Sequence, residues 1–208
     1  MDEPKQERAV KTRNVILHAA AEVFDEHGFS GASISKIMNR AGVTQGGMYF
    51  HFKSKRGLAM AVMASQQDFV EPPERSSGLQ ALIDLTFYLA RELQRNVVFR
   101  ASVRLAVEQG EFGIRSDTPY QEWVDYFLKH LRVARELGEL LPDVDEGEFA
   151  TTLVGAYTGV QLYSNIVSER KDLPRRIALL WQFTLPAVAA PEVRERLRIR
   201  PGKGDFPA

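Results

Sequence analysis

Ser33-Ile34-Ser35-Lys36-Ile37-Met38-Asn39-Arg40-Ala41-Gly42-Val43-Thr44-Gln45-Gly46-Gly47-Met48-Tyr49-Phe50-His51-Phe52 is the stretch whose reading decides the fold. The Ser33 hydroxyl caps a backbone N–H that the first turn of a helix leaves unpaired. The helix it opens buries Ile34, Ile37 and Met38. Gly42 permits a tight turn, and Thr44 caps the helix that follows. Two short helices joined by a glycine turn, the second exposing polar and aromatic groups, are how a protein seats one helix in the major groove of DNA.

The second short helix has the side chains for that task. Thr44 satisfies a backbone N–H and still approaches a phosphate. Gln45 stands at the helix start, where its amide reaches base edges, adenine being the pairing its donor and acceptor favour. Gly46 and Gly47 remove side-chain bulk and allow close backbone approach, although each weakens a short helix by roughly 1 kcal/mol relative to alanine. Tyr49 and His51 are phosphate donors, and Phe50 is placed for a thymine methyl. Lys55 opens the next helix and adds a formal charge to its N-terminal anion site. Lys11, Arg13 and Ser33 complete the DNA-contacting candidates. Phe52 and Met48 are expected in the core, clamping the two short helices against the one before them.

Upstream, Val15, Ile16, Ala19, Ala20, Val23 and Phe24 form an apolar stripe, and Gly28 supplies a left-handed stop. Downstream, Ser54 caps a fourth helix through Leu58, Ala61 and Val62, as far as Gln67. Glu71-Pro72-Pro73-Glu74-Arg75-Ser76-Ser77-Gly78 is a breaker-rich loop. Helical patterns then run over Leu79–Gln94, Val97–Gln109, Gln121–Leu137, Glu146–Glu169 and Leu173–Leu185. The charged tail after Pro191 ends in Pro201-Gly202-Lys203-Gly204 and is expected to be mobile at its end. No alternating strand is evident. The fold class is therefore all-α, with nine or ten helices: a helix-turn-helix DNA-binding domain over residues 1–54, and a larger helical body over 55–208, for which the family resemblance given below implies ligand binding and dimerisation.

At 208 residues, 44% of them hydrophobic and 26% charged, the chain has the makings of a real core. No run approaches the ~20 apolar residues of a membrane span, and the polar start has no signal-peptide core. With Cys 0 in the composition, disulfide and thiolate chemistry are excluded. A cytoplasmic, nucleoid-associated protein is expected. The net charge of zero hides an asymmetry: residues 1–56 carry nine basic and six acidic groups, a net +3, so the rest carries −3. A basic head on an acidic body suits a protein whose N-terminal part alone meets a polyanion.

In the body, Trp123, Tyr126 and Phe127 cluster on one helix. Aromatic groups of this kind line apolar cavities, and the Trp123 indole offers a donor to a ligand's carbonyl or hydroxyl oxygen. Leu82, Leu89, Val98 and Tyr157 are candidate apolar walls, though a single sequence does not separate wall from core. The helix over residues 151–167 is apolar or small nearly all round, so it is expected to be buried on several sides. Gly155 and Gly159 share a face that lets another backbone approach. With Ile177, Leu180, Trp181 and Leu185 it is able to form an intersubunit four-helix bundle, the alternative being packing within the chain. Twofold symmetry would then hold two recognition helices about 34–36 Å apart, or further.

Ala41-Gly42-Val43-Thr44, the paired glycines and Tyr49-Phe50-His51-Phe52-Lys53-Ser54-Lys55 resemble the N-terminal signature of the tetracycline-repressor family. Ile16, Ala19-Ala20, Val23-Phe24 and Gly28-Phe29 are similar to that family's first helix. The resemblance spans roughly residues 9–62. It implies an all-helical homodimer on palindromic operator DNA, in which a ligand in the body changes the separation of the two heads. Leu85-Thr86-Phe87, Val97 to Ala106 and Glu122-Trp123 resemble the γ-butyrolactone receptors of actinomycetes. That likeness implies release by a butyrolactone or butenolide, with Trp123 as the pocket tryptophan and Gln66 as a polar pocket residue. Where the subgroup carries Lys-Gly-Ala, this chain has Gln45-Gly46-Gly47, one positive charge fewer.

An enzyme is not expected. His18, His27, His51 and His130 have no metal-ligand spacing, and there is no nucleophile elbow or phosphate-binding glycine loop. No catalytic residue, metal or cofactor is assigned, and Glu108, Glu111 and Glu122 read as solvated helix faces. A DNA-packaging protein is disfavoured by the weak net charge and the large apolar body. Within the repressor class, the alternative is a pseudo-receptor or drug sensor answering to antibiotics or pathway intermediates.

Overall fold

A computed structural model describes residues 3–66 and 76–200. The expected end of the fourth helix at Gln67 and most of the loop at 71–78 lie outside the described residues, as does the 201–204 tail. Among the described residues ten α-helices follow one another: α1 Glu3–Gly31, α2 Ile34–Ala41, α3 Gln45–His51, α4 Lys55–Ala64, α5 Gly78–Arg95, α6 Val97–Val107, α7 Thr118–Glu136, α8 Glu146–Ser168, α9 Leu173–Val188 and α10 Pro191–Arg194. A 3-10 turn, Gln109–Phe112, follows α6. The five helices expected after residue 78 are all present, with no end shifted by more than three residues.

The chain divides into two compact units, and the division does not follow the 1–54/55–208 boundary. The first unit holds Met1–Val70 and Asn96–Ser116; the second holds Glu71–Arg95 and Asp117–Ala208. The physical reason lies in packing: α4 and α6 are apolar on faces that meet each other and α1.

In the first unit, Ile16, Ala20 and Phe24 of α1 meet Ile37, Met48, Phe52, Leu58, Val62 and Leu105 in one buried cluster. Val15, expected in the stripe, is 43% exposed. Gly28 does not end α1 as expected. It has φ 68° and ψ 179°, and the chain makes one more helical turn to Gly31. That backbone region is essentially restricted to glycine. A Cβ there would also meet the Arg104 guanidinium at 2.6 Å. Gly42 closes α2 in the left-handed conformation, φ 66° and ψ 30°.

The end of α1 is wired to α6. Arg100 donates through Nε and Nη2 to Asp25 Oδ2 at 2.9 and 2.8 Å. Arg104 donates to the Asp25 carbonyl and to Glu108 Oε1. Glu108 Oε2 in turn accepts from the Phe29 amide at 2.8 Å. Glu111 accepts from the Ser30 amide and hydroxyl. Reading Glu108 as a solvated face is thus corrected, and Glu111, though exposed, is tied to the end of α1. Each answers an N–H that the kink at Gly28 takes out of the helical ladder, while Glu111 and Glu122 are both exposed.

The second unit centres on α5, whose Leu82, Ile83, Leu85, Phe87, Leu89 and Leu93 are all buried. α7 packs on α5 and α8, and α9 packs on α8 and α5. Ile177, Trp181 and Leu185 of α9, expected at an intersubunit seam, are at most 3% exposed in the single chain. They fill this unit's own core. The Trp181 indole donates to Thr86 Oγ1 at 2.9 Å. Nor is α8 buried all round: Leu153, Val154 and Tyr157 point inward, while Gly155 and Gly159 face open space. Tyr163, Ile166 and Val167 on α8 and Phe183 on α9 are 55, 83, 56 and 78% exposed.

Candidate DNA-reading surface and effector residues

The reading segment is built by its caps. Ser33 Oγ accepts from the Lys36 amide at 3.2 Å and lies 3.0 Å from Ser35 Oγ. Thr44 Oγ1 accepts from the Gly47 amide at 3.3 Å. Both cap residues have extended backbone. The seven residues of α3 leave little side-chain area to bury, and Met48 supplies it with complete burial. Since Met48 points inward, its neighbours along the short helix point out. Gln45 and Gly46 are exposed, Tyr49 is 44% exposed and Phe50 is 78% exposed. His51 is half-buried and meets the Phe50 ring edge-on at 5.0 Å. An apolar ring left this far out of the core is available to an apolar group such as a thymine methyl.

The basic candidates differ among themselves. Lys11 and Arg13 are both exposed on α1, and the Arg13 guanidinium lies over the Phe52 ring at 5.3 Å. Lys55 is committed within the chain. Its ammonium donates to the Ala32 carbonyl at 2.8 Å and sits 4.3 Å from the centre of the Phe29 ring. Arg40, on α2, is bound to Glu26 at 2.6 Å, which fixes α2 against α1. That hydrogen bond holds the Glu26 carboxyl below its ordinary range. Lys53 and Arg56, not among the expected contacts, stand exposed beside the exit of α3.

The expected effector residues fall in both units. Gln66 is buried in the first unit, and Val98 belongs to that unit's apolar cluster. The other six belong to the second unit. Trp123 and Tyr126 are half-buried and Phe127 is buried; the Trp123 ring meets theirs at 6.2 and 6.3 Å. His130 stacks edge-on with Tyr126 at 5.5 Å. Burial, and then the Lys129 charge, lower its pKa below the ordinary imidazole value. Leu82 and Leu89 are buried on α5, and Tyr157 donates its hydroxyl to the Thr86 carbonyl at 3.2 Å. Burial pushes that phenol far up, against the pull of Arg170, which keeps it a donor.

Inspection of the sequence alone missed the polar node at Thr86. Its partners Tyr157 and Trp181 lie 71 and 95 residues away, and no local spacing marks such a meeting. Gln161 and Arg170, buried side by side, were missed for the same reason.

A capped, solvent-facing helix held by one buried methionine, preceded by a capped helix and a left-handed glycine, defines a helix-turn-helix DNA-binding protein. Residues 16–62 match the family described as bacterial regulatory proteins, tetR family, and residues 76–190 match the tetracyclin repressor-like C-terminal domain. The chain belongs to the tetR family of transcriptional regulators, which are not enzymes. The A-factor receptor protein of Streptomyces griseus is 41% identical over 189 residues, 91% of this chain and 68% of that protein. The crystal structure of full-length native TylP, a TetR regulator from Streptomyces fradiae, is 42% identical with a TM-score of 0.81. That comparison covers 92% of this chain and 93% of that one. The crystal structure of a γ-butyrolactone receptor, an ArpA-like protein, is 30% identical with a TM-score of 0.69, over 91% and 93% of the two chains.

Proposed function

We propose that this regulator is a repressor released by a small hydrophobic signal of the γ-butyrolactone or butenolide type. It binds palindromic operator DNA as a homodimer. The observation that carries the reading is a chain with two solvent-facing surfaces of different chemistry and a near relative that is an A-factor receptor. One surface is the capped α3 with Gln45, Tyr49 and Phe50 outward; DNA contact is assigned within residues 1–54, joined by Lys55. The other is the apolar stripe of Tyr163, Ile166, Val167 and Phe183, with Gly155 and Gly159 leaving room for a second backbone. A second copy of the chain, applying its own α8 and α9, covers that stripe and supplies the twofold axis a palindrome requires. Trp123, Tyr126 and Phe127 contribute the aromatic wall of an effector site in the second unit, with Leu82, Leu89 and Tyr157 as its further apolar lining.

The test selects genomic fragments bound by the purified protein, then titrates γ-butyrolactones against the complex. A palindromic consensus, one dimer or more per site, and release by a lactone are expected. Release by antibiotics alone would favour the drug-sensing alternative, and binding without sequence preference would overturn the operator reading.

A further inference from the structure

Within the second unit, one buried polar atom breaks the rule that such atoms are hydrogen-bonded. Gln161, on the inward face of α8, is 1% exposed, and its amide nitrogen finds no hydrogen-bond partner among the described residues. Its neighbours show how unusual this is. Tyr157, one turn earlier, donates to the Thr86 carbonyl, and Trp181 donates to the Thr86 hydroxyl. Ser164, the next buried residue along α8, donates to Asp172 at 2.5 Å.

The orientation of the amide is fixed by chemistry. Gln161 Oε1 accepts from Arg170 Nε and Nη2 at 3.4 and 3.3 Å. A guanidinium has donors only, so a flipped amide would set donor against donor. The oxygen is thereby held toward Arg170 and the NH2 group is turned away from it. The backbone contributes to the arrangement. Glu169 and Arg170 adopt φ of 52° and 65°, a left-handed pair without glycine, and Arg170 is 8% exposed. Gln94 Nε2 fixes the turn by donating to the Arg170 carbonyl at 2.7 Å. Backbone of this kind persists only where the surroundings impose it, and it clusters at functional sites.

We propose that the Gln161 amide nitrogen is the polar anchor of the effector site, donating to a carbonyl oxygen of an otherwise apolar ligand. The inference rests on the effector reading above and names the atom that recognises the ligand's oxygen. A small apolar molecule gains little specificity from its hydrocarbon, and a buried donor without a protein partner discriminates strongly for an acceptor. Arg170 aligns the donor through Oε1 and is a positioning residue.

The experiment measures release of a fluorescent operator by a γ-butyrolactone bearing a hydrocarbon side chain, and by the matching tetrahydrofuran, which lacks the carbonyl. Wild type should favour the lactone by at least about tenfold. Gln161→Glu keeps an acceptor for Arg170 but replaces the donor with a second acceptor. It should fold and bind operator like wild type and lose the preference for the lactone. Gln161→Met, with neither group, should also lose it. Lactone preference retained in both variants overturns the anchor while leaving the effector reading intact, as does equal release of wild type by lactone and tetrahydrofuran. Release of wild type by neither molecule overturns the effector reading, and the anchor with it.

Discussion

Met48 and Tyr49 are adjacent in a seven-residue helix, and the first is wholly buried while the second is 44% exposed. That alternation converts a short, glycine-weakened helix into a reading head, because a single side chain anchors it and the rest remain free. Tyr49→Ala is therefore expected to leave thermal stability within about 0.5 kcal/mol of wild type. It should weaken operator binding roughly tenfold, the scale of one hydrogen bond, in a mobility-shift titration. Lys55 should behave otherwise. Its ammonium is bonded to Ala32 and lies over Phe29, so Lys55→Ala should cost about 1–2 kcal/mol in urea denaturation. A lysine that met only phosphate would leave the denaturation midpoint unchanged and lower the salt dependence of binding by roughly one counterion. At Gly28 the backbone itself is the constraint. Gly28→Ala should destabilise by about 1–3 kcal/mol, because alanine is strained at φ 68°, ψ 179° and its methyl group meets Arg104.

Among the helices, α6 illustrates how an element acquires its place. Its sequence specifies an amphipathic helix capped by Asn96, whose Oδ1 accepts from the Val98 and Phe99 amides. What ties it to α1 is a row of charged groups, Arg100, Arg104 and Glu108, meeting the backbone exposed by the Gly28 kink. Glu108→Ala leaves the Phe29 amide without its acceptor. Faster native-state hydrogen exchange at Phe29 is expected, with a stability loss of about 1–3 kcal/mol. Unchanged exchange there would mean that the carboxylate does not hold that amide. For α8 the decisive property is an apolar stripe that the other described residues leave exposed. Ile166→Glu should convert the proposed dimer to monomer in sedimentation velocity and abolish high-affinity operator binding, since the buried carboxylate would meet its own copy across the axis. A variant that remains dimeric would place the interface elsewhere.

Across the whole molecule, net charge zero conceals local balances that give stability a pH profile. The Ser164 and Ser168 hydroxyls, and then Arg176, hold the Asp172 carboxyl down to about 2, against an ordinary value of 3.8. The unfolded chain therefore binds this proton more readily than the folded one. The stabilisation is complete above about pH 4 and is lost as pH falls toward 2. Asp172→Asn should be less stable than wild type at neutral pH, by about 1–3 kcal/mol for three lost charge-assisted bonds, and should converge with it near pH 2 in acid denaturation. A constant difference across that range would show that the ionised form is not what those hydroxyls stabilise.

Local signals in the chain suffice for the helices. Periodicity, caps at Ser33, Thr44 and Ser54, and the left-handed Gly42 determine where α2, α3 and α4 begin and how the reading helix turns outward, because each depends on residues within four positions. The same signals marked the five helices of the body to within three residues. Partnership was decided only in three dimensions. Trp181 reads as a seam residue until Thr86, 95 residues away, arrives to accept its indole hydrogen. Glu108 reads as solvated until the kink at Gly28 presents it with a bare amide. The unit boundary and the buried Gln161–Arg170 pair have the same origin. Helix formation is settled by near neighbours, whereas burial and hydrogen-bond satisfaction are settled by whichever distant segment the fold brings against each face.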